Sequence, residues 1–137
     1  MNPVPGWRDA PGADFAVLGD PVGHSRSPKM HEAAYRALGL KHTYVAVRVC
    51  AEELPEALDH LAKKGYRGVN LTVSLKEAGA RWALHPDEFV KRVGSANTLN
   101  LLERTATNTD APGFIDTLPP LAVWPPSRVL VLGAGGT

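Results

Sequence analysis

The stretch Thr43-Tyr-Val-Ala-Val-Arg-Val-Cys-Ala-Glu-Glu-Leu-Pro-Glu-Ala-Leu-Asp-His-Leu-Ala-Lys-Lys-Gly-Tyr-Arg-Gly-Val-Asn-Leu-Thr72 decides the fold. Its first part, Thr43 to Val49, is dense in β-branched and aromatic residues, as a strand requires. From Ala51 to Lys64 the pattern changes: Leu54, Leu58 and Leu61 recur at helical spacing, and Gly65 closes the segment. Gly68 to Thr72 is a strand again. Strand, helix and strand joined by short connections imply parallel strands with a right-handed crossover. Upstream, Phe15-Ala-Val-Leu18 runs into Gly19-Asp20-Pro21, a buried strand entering a loop. Ser27-Pro28 then starts a helix, with Ser27 at N-cap and Pro28 at N1. That helix is expected to carry Met30, Ala33, Ala34, Ala37 and Leu38 inward and to end at Gly39. Downstream follow a helix from Leu75 to Leu84 beginning near Lys76, a shorter one from Pro86 to Val93, and a strand from Ala96 to Leu102. Thr105–Thr107 is the hairpin partner of that strand, and a last helix covers Asp110 to Leu118. The expected class is α/β: a three-layer α/β/α sandwich with a mostly parallel twisted sheet.

The end of the sequence adds the first strand of a truncated Rossmann domain. Arg128-Val-Leu-Val-Leu-Gly-Ala-Gly-Gly-Thr137 is an apolar strand followed by a glycine-rich turn. Gly133, Ala134, Gly135, Gly136 and Thr137 are the expected cofactor contacts, because such a turn lets backbone approach a pyrophosphate. No helix or second strand follows to complete the unit. The domain organisation is therefore a flexible N-terminus at 1–13, a substrate-binding domain at 14–118, and a linker with the Rossmann start at 119–137. Pro119, Pro120, Pro125 and Pro126 stiffen that linker. Disorder or a non-native contact is expected after about Leu121, since a lone strand has no sheet of its own.

Composition narrows the function. The 137 residues are 44% hydrophobic and 21% charged, with a net charge of +1. No bulk charge favours nucleic acid, and no apolar run approaches a membrane span. One cysteine, Cys50, excludes an internal disulfide and fits a reducing, cytoplasmic location. No Cys/His cluster has metal-ligand spacing, so no metal is expected.

In an α/β sheet, ligands sit beyond the carboxyl ends of the strands, and the polar residues collect there. His24, Ser25 and Ser27 follow the first strand; Asn70, Thr72 and Lys76 end the third; Asn97 and Thr98 open the late strand; Asn108, Thr109 and Asp110 precede the last helix. Hydroxyls, amides, one amine and one carboxylate suit a small, hydroxylated, anionic ligand.

Five segments carry a resemblance. Gly23-His-Ser-Arg-Ser-Pro-Lys-Met-His31 is similar to the H-S-x-S-P-x-x-H loop of shikimate dehydrogenases. Gly68-Val-Asn-Leu-Thr-Val-Ser-Leu-Lys76 resembles their G-x-N-V-T-x-P-x-K segment, with Ser74 where the family usually has proline. Gly94-Ser-Ala-Asn-Thr98 and Asn108-Thr-Asp-Ala-Pro-Gly-Phe114 are similar to G-A-x-N-T and N-T-D-x-x-G. Val131-Leu-Gly-Ala-Gly-Gly-Thr137 resembles the start of the family's NADP domain. The resemblance implies NADPH-dependent reduction of 3-dehydroshikimate to shikimate, on the route to chorismate and the aromatic amino acids. It implies that Ser25 and Ser27 hold the substrate carboxylate and that Asn70, Thr72, Asn97 and Asp110 bind ring hydroxyls. Lys76 and Asp110 would flank the reacting carbonyl, with Lys76 handling the proton. It implies NADP as cofactor and shikimate or 3-dehydroshikimate as partner; a homodimer and pairing with a missing C-terminal half both stay open, since the sequence is silent on oligomeric state. The chain alone is expected to have little dehydrogenase activity. The rival readings are a non-catalytic shikimate-binding fragment and a quinate/shikimate dehydrogenase using NAD.

Overall fold

A computed structural model of the chain describes residues 4–72, 74–118 and 130. The strand–helix–strand stretch forms as read: β2 (Tyr44–Arg48), α2 (Leu54–Lys63, preceded by a 3-10 turn over Ala51–Glu53) and β3 (Gly68–Leu71). Before it come β1 (Phe15–Gly19) and α1 (Ser27–Ala37). After it come α3 (Lys76–Trp82), β4 (His85–Pro86), α4 (Glu88–Val93), β5 (Thr98–Asn100), β6 (Thr105–Thr107) and α5 (Asp110–Asp116). Among the described residues these strands make one sheet of order β2-β1-β3-β5-β6-β4. β1 runs parallel to β2 and β3, and β4 parallel to β6, while β5 is antiparallel to both its neighbours. The antiparallel insertion turns the chain back so that β5 begins where β3 ends.

Side chains alternate between the sheet's faces. One face carries Ala16, Leu18, Val47, Val49, Val69, Leu71 and Leu99, packed under Leu54, Leu58 and Leu61 of α2 and Leu75 and Trp82 at α3. Leu54, Leu58 and Leu61 are fully buried, as their spacing requires. Gly79 brings α3 close: a Cβ there would collide with Leu71 of β3. The other face carries Val17 and Tyr44 against Phe15, Tyr35 and Ala46.

That second face corrects two expectations. No residue of α1 is buried. Ala33, Ala34 and Ala37 are exposed, and so are Met30 and Leu38, at 61% and 72%. The helix turns its His31 and Tyr35 row to the sheet instead, and His31 stacks on Tyr44 with ring centroids 4.2 Å apart. Rings bury more area than alanine methyls, so the aromatic row takes the contact. Ser27 is also not the cap: α1 begins at Ser27, and the Ser25 hydroxyl accepts from the Ser27 amide at 3.2 Å. The stretch expected as a flexible N-terminus packs from residue 4 onward. Trp7 sits in a 3-10 turn at 8% exposure, and Pro5 accepts a backbone bond from Arg48 of β2 at 2.9 Å. The strand β4 was not expected; at two residues it is too short to leave a pattern.

The linker prolines, Gly133 to Thr137 and the chain after Leu121 lie outside the described residues, except Leu130, which is exposed and belongs to no element.

Candidate functional site

The sheet topology gathers four chain segments at one edge. β1 and β3 are parallel, so Leu18 and Leu71 pair and their loops leave together. The Thr72 amide donates to Leu18 O at 3.0 Å, and the Thr72 methyl lies against Gly19, where any Cβ would overlap it. β5 is antiparallel to β3, so Asn97 arrives at the same end and its carbonyl accepts from the Leu71 amide at 2.9 Å. Ala96 N donates to Lys76 O at 2.9 Å, pinning the start of α3 to the start of β5. Asn97 N donates to Thr107 O at 3.1 Å, which brings the end of β6 and Asn108–Asp110 alongside.

At this edge the Lys76 ammonium donates to Asp110 Oδ2 at 2.8 Å. The lysine side chain is 13% exposed and the carboxylate 46% exposed, so the pair is backed by protein and open on the acid's side. Asp110 Oδ1 accepts from Asn97 Nδ2 at 2.9 Å. The Asn97 amide is itself held: Nδ2 donates to Thr109 Oγ1 at 2.7 Å, and Oδ1 accepts from Thr109 N and the Thr98 hydroxyl, both at 3.1 Å. Asp110 is not spent as a helix cap. Asn108 Oδ1 takes that part, accepting from Ala111 N at 2.9 Å, while its buried Nδ2 donates to Ser95 O and Oγ. Each Asp110 oxygen thus has one protein partner and lone pairs to spare.

An amine beside a carboxylate, fixed by an oriented amide, can give and recover a proton at a ligand oxygen and bind its hydroxyl groups. Among the described residues no group of His, Cys, Asp and Glu is placed to hold a metal ion, and no helix is long and apolar enough to cross a membrane.

The family model of the shikimate dehydrogenase substrate binding domain matches residues 17–99. The chain belongs to this family. A shikimate dehydrogenase (NADP(+)) of Methanosarcina mazei is 44% identical over 127 residues, 89% of this chain and 45% of its own length. Shikimate 5-dehydrogenase from Thermus thermophilus, solved in complex with shikimate, shares 43% identity and a TM-score of 0.74 over 89% of this chain and 48% of its own. The Mycobacterium tuberculosis shikimate dehydrogenase shares 41% identity and a TM-score of 0.66 over 72% of this chain and 38% of its own. The chain spans about half the length of the first of these relatives.

In this shikimate dehydrogenase domain the residues read from the sequence divide. Lys76, Asn97 and Asp110 form one bonded group. Thr72 stands at the same edge, at the end of β3. Ser25 and Ser27 lie in the loop after β1 and at the start of α1, with the Ser25 hydroxyl engaged by the Ser27 amide. Asn70 is used by the fold: Oδ1 accepts from Tyr44 OH at 2.6 Å, and Nδ2 donates to Thr98 Oγ1 at 3.0 Å and Asn97 O at 3.3 Å. Ser74 adopts φ 67°, a left-handed conformation closed to the proline the family usually has there. The expected cofactor contacts Gly133, Ala134, Gly135, Gly136 and Thr137 fall outside the described residues. Sequence reasoning missed Tyr44, which reads as an ordinary β-former in its strand. A cleft of about 440 Å³ opens on the sheet beside Arg67, Asn70, Thr98 and Glu103; neither Lys76 nor Asp110 lines it.

Proposed function

We propose that this chain is the shikimate-binding half of an NADP-dependent shikimate dehydrogenase, acting on 3-dehydroshikimate and shikimate in the cytoplasm. The observation that carries the reading is the Lys76–Asp110 contact at 2.8 Å, with Asn97 on the acid's other oxygen. Shikimate offers a carboxylate and a ring of hydroxyls. Ser25 and Ser27 would receive the carboxylate; Thr72, Asn97 and Asp110 would receive the hydroxyls. Lys76 would stand at the oxygen that changes between carbonyl and alcohol, supplying its proton on reduction and taking it back on oxidation. Asp110 orients the amine and accepts from the neighbouring hydroxyl. Hydride is what the nicotinamide cofactor supplies when bound. Asn70 enters as a support for Asn97 and Thr98 and not as a ligand group, because its amide is already committed.

Titrating shikimate into the ¹⁵N-labelled chain tests this. Saturable shifts are expected at Ser25, Thr72, Asn97 and Asp110, without NADPH. A flat titration at millimolar shikimate, or shifts confined to the cleft beside Arg67 and Glu103, would reject it.

A further inference from the structure

We propose that Tyr44 is a positioning residue for the Lys76–Asp110 pair, acting through Asn70, Thr98 and Asn97. Tyr44 is on β2, two strands from β3, and its ring is 2% exposed. A phenylalanine would fill that apolar space with no polar group to satisfy. The tyrosine instead reaches over β1 to donate its hydroxyl to Asn70 Oδ1 at 2.6 Å. Burial pushes the phenol's pKa well above its ordinary value, so it remains a donor.

From that bond a continuous chain of hydrogen bonds leads to the pair. Asn70 turns Oδ1 to the phenol and Nδ2 to Thr98 Oγ1 at 3.0 Å and to the Asn97 carbonyl at 3.3 Å. The Thr98 hydroxyl accepts that bond and gives its own proton to Asn97 Oδ1 at 3.1 Å. With Oδ1 held by Thr98 and by the Thr109 amide, Asn97 turns Nδ2 toward Asp110 Oδ1 at 2.9 Å, leaving Oδ2 for Lys76 at 2.8 Å. Remove the phenol and the Asn70 oxygen loses its donor, leaving the amide held only through Nδ2, by Thr98 Oγ1 and the Asn97 carbonyl. A shift of that amide moves Thr98 Oγ1 with it and so weakens the Thr98 bond to Asn97 Oδ1, one of the two donors that fix the Asn97 orientation. His31, stacked on the Tyr44 ring, limits the ring's movement.

The consequence for binding rests on the function proposed above; the hydrogen-bond relay itself does not. The test is Tyr44→Phe in the ¹⁵N-labelled 137-residue chain, with Thr98→Val as a second break should the first fail to fold. Without ligand, the side-chain amide signals of both Asn70 and Asn97 are expected to shift. With shikimate, affinity is expected to fall about threefold to tenfold, the range of one lost hydrogen bond. The loss in Tyr44→Phe should shrink toward nothing in an Asn97→Ala background, which a merely structural role would not produce. An unmoved Asn97 amide in the variant, or full additivity with Asn97→Ala, overturns the proposal. If the unmutated chain ignores shikimate while the Asn97 amide still responds to Tyr44→Phe, the relay stands and the substrate reading falls.

Discussion

The two faces of the sheet are built on different terms. Under α2 and α3 the contacts are apolar and closed: Leu54, Leu58, Leu61 and Leu75 have no exposure. Under α1 the contacts are rings and polar groups, and the helix buries no residue of its own. The hydrogen-bond chain from Tyr44 to Asp110 runs from this second side to the open edge. Stability is therefore concentrated on one face and the orientation of the site on the other. Substitutions should separate the two.

The largest expected effect is on the closed face. Leu58→Ala should cost about 2–5 kcal/mol in urea unfolding, through lost burial and a cavity. Leu38→Ala, at 72% exposure just after α1, should change stability by no more than about 0.5 kcal/mol. Equal effects would erase the distinction between the faces. Next in size is the turn that leads from β3 to Lys76. Ser74 holds φ 67°, so Ser74→Gly should raise stability by roughly 0.5–1 kcal/mol by relieving the left-handed strain. Ser74→Pro should lower stability, since the ring cannot reach that φ.

The smallest effect is a pH slope from the α1 side. Burial lowers the His31 pKa below its ordinary value of 6.5. Below that pH the unfolded chain takes up a proton that the folded chain resists. Stability is thus unaffected by His31 at higher pH, falls as pH drops through 6.5, and levels off once the folded imidazole also protonates. His31→Phe should flatten the urea midpoint between pH 7.5 and 5.5 relative to the unmutated chain (a window of about two units around the ordinary histidine value). An unchanged slope in that variant would show that the ring takes its proton as freely folded as unfolded.

How much of this was legible varied with distance along the chain. The β2–α2–β3 unit was readable because its leucines and β-branched residues carry the pattern locally. The facing of α1 is not legible, because a row of alanines and a row of rings count alike in a periodicity, though they bury very different areas. Docking of Trp7 and the strand His85–Pro86 depend on distant partners and leave no local trace. Lys76 and Asp110 stand 34 positions apart; the strand-end rule put both at one edge, and the resemblance to shikimate dehydrogenases paired them. Nothing in the sequence ties Tyr44 to Asn70, because the bond crosses an intervening strand.

The most direct test of the site is shikimate affinity, by calorimetry, in Lys76→Met, Asp110→Asn and the double variant. Each single change should weaken binding about tenfold or more, the scale of a hydrogen bond to a charged group. Unfolding free energy should move by no more than about 1 kcal/mol, because the acid is half exposed. The double variant should lose less than the sum of the two, since the groups act as a pair. Shikimate affinity unchanged in both single variants would contradict the account.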